Sequence, residues 1–254
     1  MLFNQIVFGP IKSRRLGISL GINLLPANGK LCTFNCIYCE CGYNADYEDK
    51  RIPTREEVRL ALDAKLSDMK SKGECPDVIT FSGNGEPTLH HDFAGIIDDT
   101  IILRNKYFPE AKISVLSNST CIHKESVFKA LCKVDNNILK LDAASQELVN
   151  LIDQPTGNVE VEKLVENLRK FNGNVIIQTI FLRGEHNGVK FDNTTDEHVN
   201  SWLEAIKKIQ PKQIMIYAID RATPEKNLEK ITVNELKKIA QKARVWGFDV
   251  MVAG

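Results

Sequence analysis

The chain has 254 residues, 43% of them hydrophobic, with 33 basic and 33 acidic side chains and a formal net charge of zero. That length and apolar content can bury a full core, while the charge balance supplies no global attraction to nucleic acid or to a membrane surface. Seven cysteines do not read as a secreted disulfide framework, no apolar run approaches a membrane span of roughly 20 residues, and the first ten residues lack a signal-peptide pattern, so the expectation is a cytoplasmic protein in a reducing compartment.

In chain order, residues 1–16 read as an N-terminal lead-in, with a basic, Gly- and Pro-punctuated loop (9–17) that is either solvated or in contact with an anion. Residues 17–25 are apolar and β-compatible, and the PANG sequence at 26–29 breaks them. A helix opens at Pro53-Thr54 with Thr54 and Glu57 as a capping box; Val58, Leu62, Leu66 and Met69 share one face, and Gly73 stops it. Strands are predicted at 77–82, 112–117, 137–142, 174–182 and 212–219. Helices are predicted at 93–108, near 124–132, at 159–171, from Thr194 and Glu197, and from Thr232 and Glu235. Residues 248–252 close the chain as a strand. Strand and helix alternate with a period of about 25 to 50 residues, which is the pattern of βα units on a parallel sheet. Six units plus a final strand predict a partial (β/α)6 barrel in a single domain. In such folds ligands sit at the C-terminal ends of the strands, and here those ends are polar: residues 82–84, Ser117-Asn118, Asp142, Arg183 and Arg221.

The densest chemical signal follows the first apolar strand. Cys32, Cys36 and Cys39 have C-x3-C-x2-C spacing, with Tyr38 before the last cysteine. No second Cys pair or His pair stands nearby to complete a zinc finger, although Cys41, two positions on, leaves a four-thiol zinc site open. Three thiolates without an obvious fourth ligand point to an iron–sulfur cluster with one iron left for a small molecule. A second motif, GNGEPTL at residues 83–89, follows the next strand. Its two glycines let the backbone approach a ligand, and Glu86 can accept a hydrogen bond from an ammonium group. The remaining cysteines, Cys75, Cys121 and Cys132, show no ligand spacing, and His90-His91 read as a helix lead-in.

The cysteine loop resembles that of the radical SAM superfamily, and residues 83–86 look like its glycine-rich "GGE" motif with Asn84 in the middle position. The resemblance implies that Cys32, Cys36 and Cys39 hold a [4Fe–4S] cluster. The open iron of that cluster binds S-adenosylmethionine (SAM), and reductive cleavage yields methionine and a 5′-deoxyadenosyl radical. It further implies that Gly83, Asn84, Gly85 and Glu86 hold the methionine amino group, and that Ser117 and Asn118 face the methionine carboxylate or ribose. Asp142 is a candidate for the ribose hydroxyls, Gln178, Thr179 and Tyr217 are candidates for ribose and adenine, and Tyr38 belongs to the cofactor-binding loop. Lys140 shares a strand face with Asp142. It is the candidate catalytic residue meeting substrate, with a buried ion pair or a solvated strand end as the alternative reading, and Arg183 and Arg221 are further substrate candidates. Segments at 13–17, 140–143, 178–184 and 217–224 look like the branch related to wybutosine (tRNA imidazoguanosine) synthase. The three upstream cysteines of that enzyme's second cluster have no counterpart in residues 1–31. The implied partners are a flavodoxin- or ferredoxin-type electron donor and a substrate that is tRNA or a protein. A glycyl-radical-enzyme activase or other protein- or peptide-modifying radical SAM enzyme, and a non-enzymatic iron–sulfur electron carrier, are the rival readings.

Overall fold

The computed structural model describes residues 2–13 and 15–253; Arg14 of the basic lead-in and the terminal Gly254 lie outside the described residues. The fold divides into two compact units. The first comprises the chain up to Cys32, Asn44–Ser117 and Cys121–Asn137; the second comprises Thr33–Tyr43, Asn118–Thr120 and the chain from Ile138 on.

In the first unit, β1 (Val7–Ser13) pairs antiparallel with β2 (Gly17–Ile22). Helix α1 (Arg55–Ser71) leads to β3 (Val78–Phe81), and α2 (Phe93–Tyr107) leads to β4 (Lys112–Ser117), before α3 (Glu125–Leu131). Strands β2, β3 and β4 are parallel neighbours, with Ser19 opposite Val78 and Val78 opposite Lys112. The Thr54–Glu57 capping box forms, and Val58, Leu62, Leu66 and Met69 are the buried face of α1, as the spacing predicts. Strand β1 replaces the expected lead-in loop. Its residues are half-buried to exposed, Ile11 at 43%, so no apolar alternation marks it in the sequence.

The second unit begins within β5 (Asn136–Lys140). It continues through α4 (Gln146–Ile152), α5 (Val161–Arg169), β6 (Ile176–Ile180), β7 (Leu182–His186), β8 (Val189–Asp192), α6 (Asp196–Ile209), β9 (Gln213–Tyr217), β10 (Leu228–Lys230), α7 (Val233–Val245) and β11 (Val250–Ala253). Strands β5, β6, β9 and β11 are parallel neighbours in that order, and β10, β7 and β8 form a separate antiparallel sheet. The predicted strand 174–182 is thus two strands broken at Phe181. Asn193 closes the break: its amide donates to the Ile180 carbonyl at 2.9 Å and its oxygen accepts from the Leu182 N–H at 2.8 Å. The β7–β8 hairpin turns on Asn187-Gly188, both at positive φ, a two-residue signal that the Arg183-Gly184 corner masked. Behind β6, Trp202 is buried and donates to Thr179 Oγ1 at 3.0 Å, which in turn donates to the Leu141 carbonyl.

One polar residue organises the first unit. Asn84 is fully buried; its side-chain amide donates to the carbonyls of Phe3 (2.8 Å) and Pro26 (2.7 Å), and its oxygen accepts from the Phe3 N–H (2.8 Å). Its backbone N–H donates to Asn23 Oδ1, and its carbonyl accepts from the Leu31 N–H. A buried backbone group left without a partner costs about 1–3 kcal/mol. Asn84→Ala is therefore expected to lower stability by about 2–4 kcal/mol, read as a lowered urea midpoint with an unchanged slope.

Candidate active site

In the first unit, the corner after β3 is built for close backbone approach. Gly83 and Gly85 have φ of 138° and 135°, a region that L side chains rarely adopt. A Cβ on Gly85 would lie 1.9 Å from the Leu31 carbonyl oxygen, and one on Gly83 would lie 2.6 Å from Asn23 Oδ1. Gly85 bridges Leu31, the residue before Cys32, and the Glu86 N–H donates to the Leu31 carbonyl at 3.0 Å. Glu86 is 1% exposed. One of its carboxylate oxygens accepts from the Thr88 N–H (3.0 Å), the Thr88 hydroxyl (2.5 Å) and the Ser117 hydroxyl (2.8 Å). Three donors on one oxygen fix the carboxylate's orientation, and a carboxylate has acceptor capacity beyond them. The Asn84 side chain, committed to Phe3 and Pro26, contributes shape to this corner.

In the second unit, the loop after Cys32 is laid along residues 152–156. The Asn35 N–H donates to the Asp153 carbonyl at 2.9 Å, the Ile37 N–H donates to Ile152 at 3.0 Å, the Thr156 N–H donates to Thr33 at 2.9 Å, and Phe34 bridges Pro155. Its side chains close around the ammonium of Lys140. That group donates to Cys36 Sγ at 3.0 Å, lies 3.1 Å from Asp142 Oδ2 and hydrogen-bonds Asp153 Oδ1. It also faces the rings of Phe34 and Tyr38 at 4.8 and 4.9 Å. The Tyr38 hydroxyl donates to Asp142 Oδ2, and Asp142 Oδ1 accepts from the Ile180 N–H at 3.0 Å. The two β5 side chains are joined as a buried ion pair, with Asp153 as an additional carboxylate. Burial works against the charge on Lys140, but Asp142, Asp153 and Cys36 outweigh it and hold the ammonium protonated well above the usual lysine range. Burial, and then the charge of Asp142, push the Tyr38 hydroxyl well up. Burial, opposed by Lys140 and reinforced by Asp142, pushes the Asp153 carboxyl up to about 7.

Gln178 on β6 is 9% exposed, and its amide forms no hydrogen bond among the described residues. Tyr217 ends β9, half-buried. Asn118 bonds Thr33 and Thr120, and Arg183 is held by Asp192, Thr194 and Glu235. Arg221 pairs with Glu40 at the surface. A network absent from the sequence reading ties the loop further: Tyr43 donates to Glu225 at 2.7 Å, Glu225 faces His186, and His186 meets Gln154. A cavity of about 530 Å³ beside the β7–β8 hairpin is lined by Arg183, Lys190, Asp192 and Lys226, and contains neither motif. Among the described residues, no three His, Cys, Asp or Glu side chains converge as ligands of a single metal ion. A cluster instead takes each thiolate on its own iron. The three thiols, in no disulfide and with an ammonium beside Cys36, are a donor set that fits such a group.

Residues 29–188 match the family model described as the radical SAM superfamily. A protein described as GTPase Obg from Brachyspira hyodysenteriae is 28% identical over 236 residues, 91% of this chain but 32% of its own length. A UPF0026 protein of Methanocaldococcus jannaschii is 28% identical over 92% of this chain and 70% of its own length. Among solved structures, a radical SAM methyltransferase from Sphaerobacter thermophilus superposes with a TM-score of 0.69 at 14% identity, over 92% of this chain and 65% of that one. Streptococcus suis SuiB bound to S-adenosylmethionine gives 0.64 at 14% identity, over 89% and 49%. Archaeal TYW1 gives 0.52 at 14% identity, over 88% and 70%. The chain thus spans a third of the first of these relatives and about half to two thirds of the first two structures. The fold is the expected α/β partial barrel. Among the described residues no helix is long and apolar enough to cross a membrane.

The proton on Asp153 gives this site a pH signature. The folded chain holds that proton up to about pH 7, whereas an unfolded Asp releases it near pH 4. The carboxyl's contribution to stability is therefore complete below about pH 4 and lost as the pH rises through about 7. Asp153→Asn, which has nothing to ionise, is expected to flatten the stability profile between pH 5 and pH 8. Urea unfolding of the iron-free protein at intervals across that range reads the difference, and parallel profiles would show an ordinary carboxyl.

Proposed function

The chain belongs to the radical SAM superfamily, and on that premise we propose that it is an enzyme whose Cys32, Cys36 and Cys39 hold a [4Fe–4S] cluster at which SAM is reductively cleaved. The observation that carries this reading is that the family match spans the cysteine loop, the glycine corner and β5 together. Bound there and reduced, such a cluster supplies the electron that splits the sulfonium into methionine and a 5′-deoxyadenosyl radical.

The chain's own groups then have separable tasks. Gly83 and Gly85 let backbone approach the methionine end of SAM, and the buried carboxylate of Glu86 accepts from its ammonium group, with Ser117 and Thr88 holding that carboxylate in place. Gln178, whose amide forms no hydrogen bond among the described residues, reaches ribose or adenine, and Tyr217 supplies an aromatic face beside it. Asn118 and Asp142 act by holding Thr33 and Tyr38, and through them the loop. A low-potential flavodoxin or ferredoxin delivers the electron. For the substrate, the wybutosine-synthase-like segments favour tRNA. The precursor peptide of SuiB, a structural neighbour, makes a peptide the second class to assay.

Anaerobic reconstitution with iron and sulfide, reduction with dithionite, and an assay for 5′-deoxyadenosine test this. Wild type is expected to form the product, and Cys36→Ala to lose both the brown chromophore and turnover to background. A Cys36→Ala variant that still cleaves SAM would refute the ligand assignment, and a colourless wild type with one zinc would refute the cluster.

A further inference from the structure

Lys140 ends β5 inside the second unit, with its ammonium in contact with the Cys36 sulfur at 3.0 Å. Its side chain is 13% exposed, and those of Asp142 and Asp153 are 1% and 3% exposed. The two carboxylates and the rings of Phe34 and Tyr38 occupy the other directions around the ammonium. We propose that Lys140 is a positioning residue for the iron–sulfur cluster, donating a charged hydrogen bond to the Cys36 sulfur and raising the cluster's reduction potential. The inference rests on Cys36 being a cluster ligand.

The physical reason is the charge the cluster gains. The reduced form carries one more negative charge than the oxidised form, so a fixed cation donating to a ligand sulfur stabilises it more. Burial strengthens that difference, because little solvent intervenes to screen it. Lysine is a compact point charge on a flexible stem, and what removes the flexibility here is the pair of carboxylates. Asp142 is on the same strand two residues on; Asp153 follows α4, in the segment whose backbone holds Asn35 and Ile37. Asp153 also adds a negative charge to the site, so it moderates the rise that Lys140 produces. The pair acts as a setting with two opposed contributions.

The test compares the full-length chain with Lys140→Gln, Lys140→Arg and Asp153→Asn, each reconstituted anaerobically. Iron and sulfide content and the midpoint potential, from an EPR-monitored redox titration at pH 8, are the readouts. Lys140→Gln is expected to load iron and to shift the reduction equilibrium at least tenfold toward the oxidised form, 59 mV for one electron. Lys140→Arg, which keeps charge and donors, should rescue most of that shift, and Asp153→Asn should move the potential upward. A Lys140→Gln potential equal to wild type, or a Lys140→Arg potential as low as that of Lys140→Gln, overturns the inference. Should Lys140→Gln fail to fold or load, Asp153→Asn decides: an upward shift supports the inference and an unmoved potential overturns it. A wild type that takes up no cluster fails the proposed function itself, whereas a loaded wild type with unresponsive variants fails this inference alone.

Discussion

The second unit is built around a buried ammonium. Phe34, Cys36 and Tyr38 alternate along the cysteine loop, and all three touch Lys140, so one cation gives the loop side chains a common point to face. The loop has no regular secondary structure to fix it. Its backbone donors are instead taken up by residues 152–154, the segment that also contributes the Asp153 carboxylate. Backbone registration and side-chain charge therefore come from the same few residues, and a shift in one would disturb the other.

The first unit solves a different problem with different means. Where the second unit gathers charge, the first removes side chains. Gly83 and Gly85 are placed where a methyl group would collide with Asn23 and with the Leu31 carbonyl, so the corner after β3 can lie against the segment leading to Cys32. Asn84, between them, turns away, and its side chain joins two pieces of backbone remote in sequence, at Phe3 and Pro26. Glu86 is the first group of the corner with carboxylate chemistry to offer, and Ser117 at the end of β4 orients it. The position that is usually glycine thus carries an asparagine without narrowing the corner, because its side chain points into the unit's core.

The sequence was most legible where periodicity and caps agree. Helix α1, with Thr54, Glu57 and its four buried apolar residues, forms as its pattern predicts, and the parallel strands β3, β4 and β9 lie within a residue or two of their predicted spans. It was least legible where tertiary contacts override local signals. Nothing in residues 174–182 marks a break at Phe181, since the group that closes it is Asn193, eleven residues beyond Leu182. Strand β1 is an exposed edge without alternation, and α4, at seven residues, is too short to show a period. The cysteines, the glycines and Glu86 were visible as candidates in the sequence because their spacing is local. Asp153 was not: it stands among Ile152, Gln154 and Pro155 with no motif, and its partnership with Lys140 exists only once β5 and the end of α4 are folded together. The same holds for the contacts that Arg183 makes with Asp192 and Glu235.

Stability alone does not account for the Lys140 cluster. Each buried ion loses hydration worth several kcal/mol, and replacing a buried ion pair by packed apolar groups is often neutral or favourable by about 1–4 kcal/mol. A leucine at 140, with residues 142 and 153 made apolar to match, would fill the space between Phe34 and Tyr38 without that penalty. What an apolar core lacks is a positive charge in contact with Cys36. The carboxylates make sense on the same footing: alone, a lysine buried to this extent would shed its proton, and the two acids keep it charged. The arrangement thus spends folding stability on a fixed cation beside one thiol, which is the feature that distinguishes Cys36 from a cysteine placed merely to pack.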